Sequence, residues 1–364
     1  MTDKKKVARM ILAINPGSTS TKLALFDNGQ QLVIEDFEHS YESLAHFGSI
    51  INQFPHRLDI IERFLETHAI KEPMLKAVMG RGGLLHPLQG GVYHVTEAML
   101  TDLKEARYGE HACNLGALLA DAVARRCNCP AYIADPVVVD EMIEEARFSG
   151  MPEIQRKSIF HALNQKFAAR EVALRMGRRY EELRMIVAHL GGGISVGSHR
   201  YGKVIDVNNA LDGEGPFTPE RSGGLPAGDL LRLAYSGTFT REQLAKKILG
   251  NGGLYAYWGS RDMRKLEKAV EDGDSNALLY LKAMVYQIAK EIASHGAVLE
   301  GKVDAVVLTG GLAKYGFMME LIEQRISYLA PVFIIPGERE MLSLAENAFA
   351  VLNGEREVYE YVGE

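Results

Sequence analysis

The sequence predicts an α/β protein that contains two copies of one folding unit. Short apolar runs alternate with stretches of helical periodicity along most of the chain, and this alternation is typical of α/β organisation. In addition, the order strand, glycine- or serine-rich loop, strand, turn, strand occurs over residues 10–37 and again over residues 185–207. The two copies share little sequence identity, so the order of their elements is what indicates a duplication. Two unrelated hairpins are the alternative interpretation.

The composition excludes several classes of protein. Of the 364 residues, 47% are hydrophobic and 24% are charged, which is typical of a folded globular chain and not of a disordered one. The 41 Lys and Arg residues face 47 Asp and Glu residues, so the net charge is −6, without the basic excess of a nucleic-acid-binding protein. Apolar runs stay below the ~18 residues that a membrane helix needs. The length favours two domains, with a boundary predicted near Gly150.

The N-terminus and the cysteines predict the compartment. Residues 1–6 are basic, but the apolar residues 10–14 behind them are too few for a secretion signal. Three cysteines, Cys113, Cys127 and Cys129, cannot form a disulfide framework, and an odd number suits a reducing compartment. We therefore expect a cytoplasmic protein. We interpret Cys127 and Cys129 as the start of a strand rather than as half of a metal site, since no second Cys/His pair lies nearby.

The elements of the first copy follow in a clear order. A buried strand at residues 10–14 runs into the polar loop at residues 15–21. A strand at residues 23–26, an Asn28-Gly29 turn typical of a β-hairpin, and a strand at residues 31–37 complete the copy. The remaining predicted strands are residues 131–134, 185–188, 194–197, 203–207 and 305–309. The predicted helices are residues 56–69, 114–126, 158–176 and 278–296.

Two further stretches have a distinctive composition. Residues 208–229 are rich in Gly, Pro and Asp, and an irregular stretch of that length is usually functional or mobile. The segment from Gly296 to Lys302 matches most of a P-loop, but Val303 stands where the metal-binding Ser or Thr belongs, and the segment follows a helix. It therefore predicts a helix-to-strand turn.

Three loops have the composition of phosphate-binding turns. A triphosphate needs converging donors, and tight loops supply backbone N–H groups without side-chain bulk. The first loop, residues 15–21, carries hydroxyls, an amide and a glycine, and Lys22 follows it. The second is His189–Gly193, with three glycines, and the third is Thr309–Gly311. A single glycine-rich turn is structural more often than not. Three such loops, each directly after an apolar strand, predict a nucleotide-binding protein.

With these loops located, the sequence resembles a known family. Residues 14–22, 188–193, 215–226 and 308–311 are similar to the signature segments of the butyrate kinases. These form a branch of the acetokinase family within the actin-like ATPase-domain superfamily. The resemblance spans nearly the whole chain, and residues 215–226 are its most branch-specific part.

The resemblance implies a fold and an activity. The fold would be two duplicated RNase-H-like (actin-like ATPase) domains, residues 1–150 and 151–364, with ATP in the interdomain cleft and the last helix packing back on the N-terminal domain. The reaction would be butanoate + ATP = butanoyl phosphate + ADP, with Mg²⁺ as cofactor. The partners would be a small carboxylate substrate and further copies of the chain, without nucleic acid or membrane.

The chemistry of a carboxylate acceptor limits what the site must contain. Such an acid has a pKa near ~4–5 and is ionised at neutral pH, so no general base is required. The site needs cations, hydrogen-bond donors and a metal to stabilise the phosphoryl group. Arg81 lies between glycines, which give its guanidinium access to a ligand. A surface arginine in a turn, a capping Asp135 and a structural His161 are the alternatives at these positions.

The resemblance assigns roles residue by residue. The implied catalytic residues are Arg81, Asp135, His161 and Arg221. The implied nucleotide-binding residues are Asn15, Gly17, Ser18, Thr19, Ser20, Lys22, His189, Gly191, Gly192, Gly193, Gly310 and Gly311. The implied Mg²⁺-side residues are Asn15, Asp135 and Glu340, with Glu338 close enough to be confused with Glu340. Independently of the resemblance, four apolar residues close to Arg81 in the sequence are candidates to line the pocket for the acyl chain: Val78, Leu84, Leu85 and Val92.

One departure from the family pattern concerns a charge. Acetate kinases carry an arginine, aimed at the phosphoryl group, where this sequence has Pro226. Arg221, in the same loop, is our candidate for the missing cation. The departure also counts against the alternative of an acetate or propionate kinase. A branched-chain acid kinase, a nucleotide-dependent scaffold of the actin or Hsp70 type and a sugar kinase are the remaining alternatives.

Overall fold

The computed structural model describes residues 10–363, and the chain divides into two compact units. Unit 1 contains the described residues up to Val139 and those from Arg339 onward, and unit 2 contains Asp140–Glu338. The basic residues 1–6 lie outside the described residues. No described helix is long and apolar enough to cross a membrane.

The regular elements are as follows. The strands are β1 (Met10–Pro16), β2 (Ser20–Asp27), β3 (Gln30–Glu38), β4 (Leu75–Arg81), β5 (Val92–His94), β6 (Ala131–Ala134), β7 (Phe148–Met151), β8 (Ile154–Gln155), β9 (Arg184–Leu190), β10 (Ile194–Arg200), β11 (Lys203–Val207), β12 (Ala305–Gly310), β13 (Val332–Pro336) and β14 (Val358–Glu360). The α-helices are α1 (Tyr41–Ala45), α2 (Phe54–Thr67), α3 (Glu97–Lys104), α4 (Asn114–Cys127), α5 (Ala162–Arg175), α6 (Ala227–Ala234), α7 (Arg241–Leu249), α8 (Gly253–Trp258), α9 (Met263–Glu271), α10 (Ser275–Val298), α11 (Gly316–Ile326) and α12 (Glu340–Leu352).

Both units contain a sheet with the same five-strand topology. The sheet of unit 1 has the order β14-β5-β6-β4-β1-β2-β3, and that of unit 2 has the order β11-β10-β9-β12-β13. In each, the first strand pairs antiparallel with the second, the second pairs antiparallel with the third, and the two following strands run parallel to the first. The duplication inferred from element order is therefore confirmed.

Burial on both faces explains why the central strands read as continuous apolar runs. In unit 2, Ile186 and Ala188 of β9 pack in the cluster that contains α10, while Met185 and Val187 pack with α5. In unit 1, Leu12 and Ile14 of β1 pack with the leucines of α4, and α12 packs against β1 and β4. Each sheet is thus the middle layer between helices.

The domain boundary differs from the sequence prediction. The predicted boundary at residue 150 lies inside unit 2, because the residues after Val139 are bonded to that unit. Both carboxylate oxygens of Glu141 accept hydrogen bonds from Lys166 Nζ at 2.9 Å, and Ile143 N donates to Ile205 O at 3.0 Å. The C-terminal residues from Arg339, which include α12, belong to unit 1.

Two local predictions are corrected by the structure. Cys127 and Cys129 do not begin a strand: Cys127 is the last residue of α4, and Asn128 ends that helix in the left-handed conformation (φ 49°). The predicted helix at residues 158–176 begins only at Ala162, since the chain at His161 is not helical (φ −81°, ψ 60°). The other predicted strands and helices are present, with ends shifted by a few residues.

Candidate functional site

Three predicted site residues of unit 1 lie at one edge of its sheet. Asn15, Arg81 and Asp135 are at or just beyond the carboxyl ends of β1, β4 and β6. The registers Ile14↔Gly80 and Arg81↔Ala134 place these ends side by side. The carboxyl edge of parallel strands is where open α/β sheets bind ligands.

Arg81, Glu340 and Asn15 form a hydrogen-bonded cluster, which we call the Arg81 cluster. Glu340 Oε2 accepts from Asn15 Nδ2 at 2.6 Å and from Arg81 Nη1 at 2.8 Å, while Arg81 Nη1 also lies 3.3 Å from Asn15 Oδ1. Glu340 is the first residue of α12 and is buried. The second acid, Glu338, is instead in unit 2, where its Oε1 lies 3.7 Å from His189 Nε2. The geometry therefore favours Glu340 over Glu338 as the carboxylate beside Asn15.

Glycines fix the backbone around Arg81 by allowing close approach. A Cβ atom on Gly80 would lie 2.2 Å from the carbonyl oxygen of Gly116 in α4, and one on Gly116 would lie 2.2 Å from Arg81 O. A Cβ on Gly82 would lie 2.5 Å from Pro136 Cβ. Since real side chains do not approach so closely, only glycine lets α4 and β4 meet at the residue that precedes the arginine.

Asp135 is held in an unusual backbone conformation. Its φ is 39°, in the left-handed region that few non-glycine residues adopt. The residue is buried, its N–H donates to Gly91 O at 2.9 Å, and its Oδ1 accepts from Gly91 N at 2.9 Å. Such strain persists only where surrounding contacts enforce it, and it is concentrated at functional sites.

The first predicted phosphate loop is a tight turn with exposed hydroxyl groups. Gly17 N donates to Ser20 O at 2.8 Å, and Ser18 and Thr19 are exposed at the tip. Lys22 is paired with Asn15 in the β1–β2 register, and its ammonium group lies 3.2 Å from Asp36.

A fully buried arginine supports this loop, and the sequence analysis missed it. Arg57 of α2 donates to Ser20 O at 2.8 Å and to Thr21 Oγ1 at 3.0 Å, and burial lowers the pKa of its guanidinium to about 10. Thr21 Oγ1 also bonds to His39 Nε2 at 2.8 Å. Burial and the charge of Arg57 lower the pKa of His39 to about 4. Arg57 also donates to Gln53 Oε1, four positions before it, at 2.9 and 3.2 Å. No local motif indicates its contacts with the loop, because Thr21 and Ser20 are 36 and 37 positions away.

The second predicted loop lies against two histidines in unit 2. The rings of His161 and His189 are stacked, with centroids 3.7 Å apart and planes 5° apart. A Cβ on Gly191 would lie 3.2 Å from His189 Nε2, and one on Gly193 would lie 3.3 Å from His161 Cε1. The structure thus brings together the predicted residues His161, His189 and this glycine loop, which we call the 191–193 loop.

Arg221 is the cation beside this loop. A Cβ on Gly193 would lie 2.7 Å from Arg221 Nη1, and the same nitrogen donates to Ala210 O. Its Nε is buried and has no hydrogen-bond partner within residues 10–363. Burial lowers the pKa of this guanidinium from its usual value. A buried donor without a partner is costly, and an anionic ligand would satisfy it.

The third predicted loop depends on one glycine. Gly310 has a φ of 94°, and a Cβ there would lie 2.3 Å from Leu190 O. Gly310 and Gly337 exchange backbone hydrogen bonds of 2.9 and 3.3 Å. Gly311 faces open space, with no atom within 4 Å of an added Cβ. The loops after β9, β12 and β13 therefore share the carboxyl edge of the unit 2 sheet.

The sequence analysis did not identify several polar residues that contact the two histidines or the 191–193 loop. Asn164 and Gln165 lie in the first turn of α5, three and four positions after His161, and these polar residues close to a predicted site histidine were a usable signal. Ser195 faces His189 across the β9–β10 pair. Thr218 Oγ1 donates to Gly192 O at 2.6 Å.

The apolar residues proposed to line an acyl pocket are packed in the core of unit 1. Val78 and Val92 have no exposed surface, Leu85 is 2% exposed and Leu84 is 9% exposed. Leu84 and Leu85 pack with Tyr93 and other residues of one buried cluster.

Comparisons with known proteins identify relatives of the whole chain. A sequence model of the Acetokinase family matches residues 152–329. Butyrate kinase 2 of Clostridium acetobutylicum is 51% identical over 351 residues, which cover 96% of this chain and 99% of that protein. The crystal structure of acetate kinase from Porphyromonas gingivalis matches 94% of this chain and all of its own, with a TM-score of 0.75 and 18% identity. A propionate kinase from Francisella tularensis matches 93% of this chain and 98% of its own, with a TM-score of 0.72 and 19% identity.

Proposed function

The chain belongs to the acetokinase family and has the fold of the acetate kinases, and from this premise we propose that it phosphorylates butanoate with ATP. Members of this family are phosphotransferases with a carboxyl group as acceptor. The products are butanoyl phosphate and ADP, and the reaction is reversible.

The Arg81 cluster is the observation in the structure that carries this proposal. An ionised acid needs no proton removed, so the site must bind it and offset its charge. Glu340 and Asn15 hold the Arg81 guanidinium through Nη1 at the carboxyl edge of the sheet, and arginine is the residue best suited to recognising a carboxylate. Burial raises the pKa of the nearby Cys113 thiol to about 11, so it stays protonated at pH 7 and does not serve as a nucleophile. These features favour direct in-line transfer.

Each group then has a defined part in the transfer. Arg81 binds the acid, and Glu340 and Asn15 orient its guanidinium. The 191–193 loop and the Asn15–Ser20 turn offer backbone N–H groups to phosphate oxygens. His161 and Arg221 donate to the three equatorial oxygens, on which negative charge is spread during transfer. The residues stabilise this charge because their positions are set before the reaction begins.

We propose that Mg²⁺ accompanies ATP at the carboxyl edge of unit 1. Glu340, Asp135 and Asn15 offer the oxygen ligands that Mg²⁺ prefers, so the donor set fits the ion. Within residues 10–363 no group of three or more His, Cys, Asp or Glu residues could hold a metal ion. Phosphate oxygens and water would therefore complete the shell, as is usual for Mg²⁺. When bound, the ion offsets charge on the phosphates.

An acid series tests the proposed activity. The full-length protein receives ATP, Mg²⁺ and straight acids of two to five carbons or isobutyrate, and hydroxylamine traps acyl phosphate. Two additional CH₂ groups at about 0.8 kcal/mol each favour butanoate over acetate by roughly tenfold in kcat/KM. We expect the signal to peak at four carbons and to disappear when EDTA removes Mg²⁺.

The other outcomes of this assay each point to a different protein. A peak at acetate or propionate assigns the shorter substrate, and a peak at isobutyrate assigns a branched one. ATP hydrolysis without acyl phosphate from any acid would overturn the carboxylate kinase and favour the scaffold alternative. The Arg81→Ala variant is the control for substrate binding, since it should lose acyl phosphate formation and keep its fold.

We also propose that the chain assembles with copies of itself. Helix α6 has no buried residue, and Leu231 and Tyr235 at its end are 60% and 85% exposed. A helix of this length is not stable by itself, and a partner surface would cover its leucines. The mass from analytical ultracentrifugation should be two or more times the chain mass of 40.2 kDa, and a monomer would contradict the proposal.

We propose a cytoplasmic location for the protein. All three cysteines are free, which agrees with a reducing cytoplasm. Cell fractionation with an antibody to the chain would place it there, and recovery outside the cytoplasm would reject the assignment.

A further inference from the structure

The stacked histidines of unit 2, His161 and His189, can each carry their ring hydrogen on one of two nitrogens. A neutral imidazole carries its hydrogen on either Nδ1 or Nε2, and only the nitrogen that carries it can donate. His161 and His189 have both Nδ1 atoms engaged by neighbouring side chains. The donor directions in those side chains determine which nitrogen carries the hydrogen.

The orientation of the Gln165 amide is fixed by a backbone oxygen. Gln165 Nε2 lies 3.0 Å from the carbonyl oxygen of Ser195, which can only accept. The NH₂ group must therefore face Ser195, and the same nitrogen lies 2.8 Å from Ser195 Oγ. Ser195 Oγ thus accepts a hydrogen bond from Gln165. Both residues are fully buried, so water does not offer an alternative arrangement.

The hydroxyl hydrogen of Ser195 is then directed to His161. Ser195 Oγ lies 3.0 Å from His161 Nδ1. A serine hydroxyl accepts two hydrogen bonds, and Ser195 Oγ already has two donors, Gln165 Nε2 at 2.8 Å and the backbone N–H of His161 at 3.5 Å. Its own hydrogen is therefore left to donate to this ring nitrogen. Nδ1 of His161 is therefore an acceptor, and the neutral ring carries its hydrogen on Nε2.

The hydrogen bonds on the other side of Gln165, to His199 and Tyr180, agree with this orientation of the amide. With its NH₂ group toward Ser195, Gln165 turns Oε1 toward His199 Nε2, 3.0 Å away. His199 must donate from Nε2, which leaves Nδ1 to accept from Tyr180 Oη at 2.7 Å. A neutral His199 is required for this arrangement. Burial and the nearby Lys166 charge lower the pKa of His199 well below its usual value, so the ring is neutral at pH 7.

The amide of Asn164 determines which ring nitrogen of His189 carries the hydrogen. Thr309 Oγ1 lies 3.4 Å from the carbonyl oxygen of Gly337, to which it donates, so it can accept from Asn164 Nδ2 at 3.2 Å. The same Nδ2 lies 2.9 Å from His189 Nδ1. His189 Nδ1 is therefore an acceptor too, and its ring hydrogen is on Nε2.

We propose that Gln165, acting through Ser195, and Asn164 are positioning residues that hold the stacked histidines as neutral imidazoles with the hydrogen on Nε2. The inference rests on the proposed function, because it assigns these hydrogens to phosphate oxygens at the 191–193 loop. Two rings 3.7 Å apart repel if both are charged, so a neutral pair also favours the stacked geometry. In this arrangement the histidines donate hydrogen bonds to the transferred group and do not remove a proton from the acid.

A pair of serine variants tests the His161 branch. Ser195→Ala removes the hydroxyl that donates to His161 Nδ1. Ser198→Ala is the matched control, since Ser198 lies on the same strand, is equally buried, and bonds through Oγ to His295 Nδ1 at 2.7 Å. The first measurement is a long-range ¹H–¹⁵N spectrum of histidine-labelled full-length protein, with the His161 signals assigned by their loss in His161→Gln.

The spectrum and the kinetics should change together in one variant only. In the wild type, His161 should show hydrogen on Nε2 and none on Nδ1. In Ser195→Ala this preference should be reduced, and kcat should fall by about tenfold to a hundredfold, while KM for ATP changes by less than about threefold. Ser198→Ala should leave the His161 signals unchanged and kcat within about twofold of the wild type.

Other results would overturn the inference. A wild-type spectrum with hydrogen on His161 Nδ1 would do so, as would a folded Ser195→Ala protein that keeps both the spectrum and kcat. If Ser195→Ala does not fold, Asn164→Leu tests the His189 branch with the same two measurements. The spectrum tests the inference separately from the proposed function. If the wild type forms no acyl phosphate, the proposed function fails, but the spectrum still shows which ring nitrogens carry hydrogen.

Discussion

Arg221 has the features that binding of a transferred phosphoryl group requires. It lies beside Gly193, where an added Cβ would be 2.7 Å from its Nη1, and its buried Nε has no partner within the described part of the chain. Pro226, which the resemblance aligns with an arginine of the acetate kinases, precedes the first turn of α6 and brings no charge. Arg221, in the same loop as Pro226, places a positive charge beside the 191–193 loop.

We predict that Arg221→Ala lowers kcat by about 10²–10³-fold, because it removes a preorganised donor from the charge that develops during transfer. Arg221→Lys should recover part of this loss, since it keeps the charge but not the planar fork. The control is Arg232→Ala, an exposed arginine of α6 that pairs with Asp229. Steady-state kinetics with ATP and butanoate measure all three. A loss below about tenfold in Arg221→Ala, equal to ~1.4 kcal/mol, would remove Arg221 from this role.

The Arg81 cluster shows which part of the site the sequence could predict. The loop of Asn15 and the glycines around Arg81 are local patterns, and both were recognised. The contact of Asn15 with Glu340 joins residues 325 positions apart, so no spacing rule indicates it. Glu340 came from the family resemblance, and the choice between it and Glu338 required the structure. Arg57 was missed for the same reason, since a buried arginine without a carboxylate partner has no local signature.

At the scale of elements, long apolar runs and stripes were predicted, whereas the buried strand β4 and the helices α3 and α11 were not, although all three contain buried residues. The central strands β1, β9 and β12 were found because both faces are covered and the sequence is continuously apolar. The long helix α10 was found from its apolar stripe, which packs on the unit 2 core. Helices α6 and α7 were not predicted. Neither has a buried residue, so neither packs an apolar face on a core, which is the feature that usually identifies a surface helix in a sequence.

The contact between α4 and β4 connects an element to the site. Gly80 and Gly116 let the helix approach the strand so closely that a methyl group on either would overlap backbone atoms. Because α4 begins near Cys113 and β4 ends at Arg81, this contact fixes the backbone from which the guanidinium extends. The glycines at these two positions therefore serve the site through packing, and a motif search that looks for ligand contacts would not select them.

At the scale of the whole molecule, the duplicated topology places equivalent loops at equivalent edges. The polar turn after the first strand of each repeat, residues 17–19 and 191–193, lies at the carboxyl end of β1 and of β9. The helix after the fifth core strand joins the opposite unit in both repeats: α5 follows β6 but packs on β9 and β12, and α12 follows β13 but packs on β1 and β4. The repeats in sequence are therefore not the folding units in space.

This exchange of helices predicts that the two units differ as isolated fragments. Residues 140–338 contain every element of unit 2, so this fragment should unfold cooperatively in urea. Residues 1–139 lack α12, whose buried Met341, Leu344 and Ala348 contribute to the unit 1 core. Without it, one face of β1 is left exposed, and this fragment should lack a cooperative transition and bind a hydrophobic dye.

Adding the missing helix should restore unit 1. Residues 1–139 joined by a Gly/Ser linker to residues 339–364 should unfold cooperatively, because α12 again covers β1 and β4. The matched control carries Leu344→Asp in the same fusion, which places a carboxylate at a fully buried position and costs more than about 3 kcal/mol. Far-UV circular dichroism during urea titration measures each protein. Cooperative unfolding of residues 1–139 alone, or of the Leu344→Asp fusion with unchanged stability, would contradict the assignment of α12 to the core of unit 1.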